Sequence, residues 1–311
     1  QPMTGPVGQI HTLRVRYADT TTNGATNIAG GDEALSPFKI AASYSGNDAS
    51  PAKGSATATL EGTAGKKLNV QILKQVVEAK SRKLSARWTF EAAQDAQAQQ
   101  GIDIEAEIMA ALAQEITAEI DQEILTSLRS LAGSAAGAFD QSAVSGTATF
   151  VGDEHAALAV LINQQANLIA QRTRRGAGNY AVVSSEALTI LQSATTSAFA
   201  RSTEGVFEAP TNTKFVGTLN NSMRVYVDGY AATGTDVLVG YKGSSEADAP
   251  AFYCPYIPLM SSGVVLDPST FEPVVSFLTR YGYVELSNTA SSLGNAADYL
   301  ARISISNVSF K

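Results

Sequence analysis

Apolar positions recur every four residues from Ile104 to Leu128, through Ile108, Leu112, Ile116, Ile120 and Ile124. A four-residue step advances about 400° at 3.6 residues per turn, so the stripe drifts by about 40° each time. Over six steps it winds about two-thirds of the way round the helix, and different neighbours must cover different stretches. Asp103 is placed to cap this helix, and Glu105 in the first turn suits the positive end of its dipole. Run to Leu131, the element would be about 43 Å long, a backbone of the fold. A shorter helix precedes it, capped by Thr89 and stopped by Gly101. A third, from about Asp153 to Arg172, sets Leu158, Leu161, Ile162, Leu168 and Ile169 against Asn163, Gln164, Asn167 and Gln171.

Strand signals are shorter. Leu68, Val70 and Ile72 alternate with polar residues, and an extended reading can continue to Trp88, which is either one long arm of about 70 Å or a broken strand. Further candidates are Tyr180–Val183, Met223–Asp228, Asp236–Tyr241, Val274–Leu286 and Arg302–Phe310, with a short helix at about Ser185–Gln192. In the last strand the phase slips near Asn307, between Ile305 and the Val308/Phe310 pair, which predicts a bulge. Residues 1–65 are rich in Gly, Ala, Thr and Ser, with turn material at Asn23-Gly24, Gly30-Gly31 and Ser45-Gly46-Asn47-Asp48, and suit an extended arm more than a packed domain. Gly133 to Gly152 reads as a small-residue connector. Helices and strands do not alternate strictly, so the class is α+β.

Charge changes the picture. Between Lys66 and Arg87 stand seven cations, Lys66, Lys67, Lys74, Lys80, Arg82, Lys83 and Arg87, against the single anion Glu78. Between Trp88 and Leu128 stand nine anions, Glu91, Asp95, Asp103, Glu105, Glu107, Glu115, Glu119, Asp121 and Glu123, and no Lys or Arg. Like charges at four-residue spacing, as in Glu115/Glu119/Glu123, destabilise an isolated helix, so positive charge should lie near it. Either both are solvated faces, or the basic segment of one subunit lies over the acidic helix of a neighbour. On the second reading the inter-subunit candidates are the seven cations together with Glu105, Glu107, Glu115, Glu119, Asp121 and Glu123.

Over the whole chain of 311 residues only 16 % are charged, against a usual figure of about 25 %. Such a chain either hides much of its surface or is unusually bland. Net charge −7 disfavours nucleic-acid binding by phosphate neutralisation. One cysteine excludes an intramolecular disulfide, and two histidines, His11 and His155, exclude a multi-His zinc site. No apolar run reaches the roughly 20 residues that span a bilayer. The start at Gln1 rather than Met reads as either a processed N-terminus or an artificial start.

Local motifs argue against an enzyme. The run Arg172-Thr173-Arg174-Arg175-Gly176-Ala177-Gly178 resembles a phosphate cradle, yet it follows a helix and opens a strand, the reverse of what a phosphate loop requires. Ser184-Ser185-Glu186 lacks the glycines of a nucleophile elbow. His155 in a first helical turn beside Asp153 and Glu154 suits a capping or surface role. Glu105/Glu107 and Glu119/Asp121, two apart, point to different helix faces and make no two-carboxylate site. Cys254 reads as a buried thiol. No catalytic, cofactor or metal site is expected.

Several blocks, in order, resemble one family. The stretch from Val76 to Ile124, whose core reads VVEAKSRKLSARWTFEAAQDAQAQQGIDIEAEI, is similar to the segment entering and forming the spine helix of the major capsid protein of T4-like tailed phages. IAQRTRRGAGNYAVVSS (Ile169–Ser185), KFVGTLNNSMRVYVDGYA (Lys214–Ala231), VGYKG (Val239–Gly243), APAFYCPYIPL (Ala249–Leu259) and FLTRYGY (Phe277–Tyr283) are similar to later blocks of the same family, and NAADYLARISISNVSFK more loosely to its closing strand. The resemblance covers about residues 70–311. It implies the Hong Kong 97 fold: an N-terminal arm (1–35), an extended loop (36–80), a peripheral domain with a long spine helix (81–150 and 261–311) and an axial domain (151–260).

It further implies hexamers or pentamers tiling an icosahedral or prolate head shell around DNA without sequence-specific binding, any attraction to DNA being local to Arg172, Arg174 and Arg175. The implied setting is the virion, assembled in the bacterial host cytoplasm, with vertex, portal, scaffold, cement or decoration proteins as partners. The inserted domain that T4-like relatives carry in the extended loop has little room between residues 36 and 80. Two other readings stand beside the hexamer-forming protein: a vertex paralogue forming pentamers, and a secreted, non-enzymatic binding or adhesive module.

Overall fold

The computed structural model describes residues 1–23, 26–32, 34, 44–45, 54, 56–62, 64–133, 136–144, 151–173, 175–194, 199–201, 214–220, 222–232, 234–244, 249–286 and 296–308. In chain order the elements are β1 (Val7–Tyr17), β2 (Thr21–Asn23), β3 (Thr26–Ile28), α1 (Thr57–Leu60), β4 (Leu68–Glu78), β5 (Lys80–Arg87), α2 (Phe90–Gln100) and α3 (Ile104–Leu131). They continue as β6 (Gly137–Asp140), α4 (Gln141–Val144), α5 (Val151–Thr173), β7 (Tyr180–Ser184), α6 (Ser185–Ser193), β8 (Phe199–Arg201), β9 (Lys214–Leu219) and β10 (Met223–Asp228). The last are β11 (Val237–Gly240), β12 (Ala251–Ser261), β13 (Val265–Leu266), β14 (Pro273–Glu285) and β15 (Leu300–Ser306), with one 3-10 turn at Ala296–Tyr299. They form an α+β chain of two compact units.

The first unit comprises Gln1–Ile10, Gln75–Ser127 and Ala251–Val284. Its sheet has the order β12-β14-β13, with β5 antiparallel to β14. β14 alternates buried and half-buried positions along most of its length, the period-two signature of a strand with one face on a core. Against that face packs α3: Leu112 and Ile116 join Val275 and Phe277, flanked by Leu84, Ala86, Trp88, Ile108, Met109 and Ile120. Thr89 caps α2, its hydroxyl accepting from the Ala92 amide at 3.3 Å, and Gly101 ends the helix at φ 69°. Asp103 opens α3 by accepting from the Glu105 amide at 3.0 Å. Gly282 is required by a close approach, since a Cβ there would lie 2.3 Å from Cγ1 of Val77.

The second unit comprises His11–Lys74, Leu128–Pro250 and Glu285–Lys311. Its sheet runs β6-β15-β11-β7-β10-β9-β8, with β7/β10 and β6/β15 parallel and the other pairs for which a register is defined antiparallel. All four residues of β11, and all of β7 after Tyr180, are buried, as interior strands covered on both faces must be. Leu158, Ile162 and Ile169 of α5 and Ala187, Ile190 and Leu191 of α6 close that core with Phe139, Val225 and Ile303. At the edge of this unit's core, Arg129 of α3 meets Asp228 at the end of β10, Nη2 to Oδ2 at 3.1 Å, and the Asp228 side chain is fully buried.

Of the two readings of Leu68–Trp88 the broken strand holds, with the break at Ala79: β4 pairs with β1, and β5 with β14. Other sequence expectations are corrected. Residues 1–65, read as suited to an extended arm, contain the eleven-residue β1, a strand that their composition did not mark. The connector 133–152 contributes β6 and α4. No bulge marks Asn307; β15 ends at Ser306, and Asn307 turns away at φ 52° with its side chain donating to Asp140. His155 neither caps nor faces solvent: it is buried, with Nδ1 2.5 Å from Oγ of Ser193, and burial pushes its pKa down. Cys254 is a buried free thiol. Gly24, Gly46–Asp48, Arg174 and Phe310, also named above, lie outside the described residues.

Candidate functional site

The charged stretches fall into two groups, those already satisfied within the chain and those left open. Arg82 belongs to the first. In the register of β5 on β14 it stands opposite Thr279, with Tyr281 on the diagonal of the same face. Its Nε donates to the Tyr281 hydroxyl at 2.7 Å, Nη1 to Oε2 of Glu119 at 2.7 Å, and Nη2 to Oε2 of Glu123. The Tyr281 hydroxyl in turn donates to Glu123 at 2.5 Å. Glu119 and Glu123 are one helical turn apart and would repel each other; the planar guanidinium fork bridges them.

The electrostatics follow. The Arg82 hydrogen bond holds the Glu123 carboxyl below its ordinary value of 4.5, with the Tyr281 hydroxyl as the next cause, against the opposing effect of burial. Burial and the bond to Glu123 push Tyr281 upward. A carboxylate whose folded pKa is depressed contributes stability that is present above its unfolded value and lost as pH falls through the folded one. The thermal midpoint difference between wild type and Glu123→Gln should therefore be constant at neutral pH and shrink below about pH 4.5, tracked by thermal unfolding across that range. A gap independent of pH would refute the assignment.

Lys66 is also engaged within the chain, and Lys67 is held there by its backbone alone. The Lys66 ammonium donates to the Thr21 hydroxyl at 2.6 Å and lies 5.4 Å from the Tyr44 ring centroid. The Lys67 backbone amide donates to Asp19 at 3.1 Å, and its carbonyl accepts from the Tyr44 hydroxyl at 2.5 Å. Arg87 makes a loose pair with Glu272 at 3.6 Å. Asp121 lies close enough to Tyr253 to raise its pKa, after the larger effect of burial.

The second group is exposed: Lys74 on β4, Lys80 and Lys83 on β5, and Glu91, Asp95, Asp103, Glu105, Glu107 and Glu115 on or beside α2 and the first half of α3. None of these side chains makes an ion pair among the described residues, although Lys80 is near enough to help depress Glu123. The helix α2 buries none of its residues, and an isolated helix of that length is marginal in water. On β4, Leu68, Val70, Ile72 and Val76 are exposed, with Val7 and Leu13 on β1, although β1 and β4 pair only with each other among the described residues. Gln1 sits on the β12 edge, its amino group donating to the Tyr253 carbonyl at 3.0 Å.

Among the described residues no three His, Cys, Asp or Glu side chains are grouped to hold a metal ion, and no helix is long and apolar enough to cross a membrane. Charged faces and an uncovered apolar ribbon are what a chain completed by other chains displays.

The fold is that of solved phage shells. The asymmetric unit of the bacteriophage PhiM1 mature capsid superposes with a TM-score of 0.54, covering 99 % of this chain and 84 % of that one at 13 % identity. Identity so low speaks for the fold alone, and that fold is the Hong Kong 97 type of phage capsid proteins. The chain belongs to the family of the major capsid protein Gp23, which it matches across residues 1–305.

The major capsid protein of Vibrio phage KVP40 is 32 % identical over 391 aligned positions, covering 97 % of this chain and 75 % of that protein. The alignment is longer than the 311 residues of this chain, so that relative carries residues inside the matched span that are missing here. The major capsid protein of Enterobacteria phage T4 is 38 % identical over 234 positions, 69 % of this chain and 44 % of that protein. The chain thus spans less than half the length of the T4 relative. Its family is a structural one, whose members form the phage head shell as homo-oligomeric capsomers in the virion.

Proposed function

We propose that copies of this chain form the hexamers, and pentamers where the shell closes, of a head enclosing DNA without sequence-specific contact, assembled in the host cytoplasm. Residues 1–35 serve as the N-terminal arm and 36–80 as the extended loop; 81–150 with 261–311 form the peripheral domain around the spine helix α3, and 151–260 the axial domain. Vertex, portal, scaffold, cement and decoration proteins are the further partners this assignment entails. An acidic subunit avoids adhering to packaged DNA.

The observation that carries the reading is the division of charge: exposed, unpaired Lys74, Lys80 and Lys83 on one segment, and exposed, unpaired carboxylates on α2 and early α3. In a repeating shell the basic segment of one copy meets the acidic helices of the next. Each exposed pair contributes only about 0–1 kcal/mol, so the pairs set register and encounter rate, while the apolar ribbon supplies the larger part of the affinity. Lys74→Glu with Lys83→Glu should slow capsomer and shell formation and reduce its dependence on salt, followed by light scattering and electron microscopy. Wild-type assembly rates and salt response in that variant would remove the charge-division reading.

A further inference from the structure

The helix α3 carries two ladders of the same period. The apolar ladder Ile104, Ile108, Leu112, Ile116 and Ile120 and the acidic ladder Glu115, Glu119 and Glu123 both repeat every four residues. Moved one turn, about 6 Å along its axis, α3 would offer the sheet the same ladders again. Leu112 would take the place of Ile116, and Ile108 that of Leu112. Glu115 and Glu119 would arrive where Glu119 and Glu123 now meet Arg82.

We infer that α3 has two seats on the β5–β14 pair, one turn apart, and that Arg82 with Tyr281 grips a pair of carboxylates in either one. Packed interfaces of this kind are bistable rather than continuously deformable, and a one-turn ratchet is an established form of such a change. The present seat is preferred because several positions beside the ladders do not repeat. The shift would put Glu105 in the position of Met109, which packs against the core, Gln114 in that of the buried Ala118, Asp121 in that of the buried Leu125, and Leu125 in that of Arg129, parting Arg129 from the buried Asp228. Arg82 itself does not discriminate, since it meets Glu119 with Glu123 in the present seat and would meet Glu115 with Glu119 in the other. Glu115 is exposed and makes no ion pair or hydrogen bond among the described residues, so in the present seat it contributes only repulsion toward Glu119.

The test is a cycle of Glu115→Gln and Glu123→Lys in the full chain, read by thermal unfolding of the subunit and of assembled shells at physiological salt. Both are made on a Gln114→Ala background: Gln114 is exposed in the present seat, and its removal clears the Ala118 site for the shifted helix. Positions 115 and 123 are about 12 Å apart along the helix, beyond the screening length of about 8 Å, and variants so separated ordinarily add. Glu115→Gln alone should leave the thermal midpoint unchanged or slightly raised. With Glu123→Lys, where the introduced ammonium repels Arg82 out of the present seat, Glu115→Gln should lower it, a reversal of sign. Cryo-electron microscopy of shells carrying Gln114→Ala with Glu123→Lys should show α3 displaced by about one turn against β14. The same sign for Glu115→Gln with and without Glu123→Lys, or α3 unmoved in those shells, overturns the proposal; a variant that fails to assemble is still read in the subunit cycle.

Discussion

Replacing Asp228 with alanine is expected to destabilise the second unit by about 3–5 kcal/mol, the usual cost of leaving a buried charge without its partner. The Asp228 side chain is fully buried and Arg129 nearly so, with 14 % of its side chain exposed. Oδ2 holds the Arg129 guanidinium and Oδ1 accepts from the Tyr230 amide at 3.1 Å, so alanine strands a cation and a backbone donor together. The midpoint of thermal unfolding should fall by on the order of 10 °C. The double replacement Arg129→Met with Asp228→Leu should recover much of that loss, because an apolar pair of similar volume avoids the desolvation penalty of both ions. A single variant that melts with wild type would show that the pair contributes nothing to the fold.

Phe139→Ala should cost a similar amount, about 3–5 kcal/mol, for a different reason. Phe139 is fully buried in the core formed by α5, α6 and the interior strands, and its strand β6 lies at the edge of the sheet, parallel to β15. Removing the ring leaves a cavity that the surrounding helices can close only in part. Chemical denaturation should report a lower midpoint with little change in slope, and Phe139→Leu should recover most of the difference. An alanine variant within about 1 kcal/mol of wild type would mean the site collapses freely, contrary to the close packing of such cores.

The sequence displayed its helices well and its strands unevenly. Thr89, Gly101 and Asp103 act locally, within one turn of the ends they define, so caps and boundaries of α2 and α3 could be read from neighbouring residues. Val237–Gly240 showed itself as a short apolar run because both faces of an interior strand are buried, and Met223–Asp228 by its alternation, with Met223, Val225 and Val227 buried and Arg224 exposed between them. Residues 137–140 did not. Gly-Ala-Phe-Asp has one large apolar side chain and no alternation, and becomes a strand only because β15, over 160 residues later, pairs with it. The same holds for Val7–Tyr17, whose partner β4 lies some sixty residues on.

For the candidate site, charge counting found the basic and acidic stretches but could not say which members were already spent. The fork of Arg82 depends on Tyr281, 199 residues away and contributed by β14. Tyr44, which engages both Lys66 and Lys67, likewise carries no local signal. His155 misled because Asp153 and Glu154 mark a helix start, whereas its own burial is set by α6, through Ser193.

The ribbon of β1 and β4 has a consequence for the newly made chain. Two strands that have no third among the described residues, showing Leu68, Val70 and Ile72 to water, present open backbone edges and an oily row at once. Such a ribbon accepts whatever strand reaches it first, so an excess of free subunits invites clumping. Productive head building must therefore keep the pool of unincorporated copies small, with synthesis matched to uptake at the growing edge.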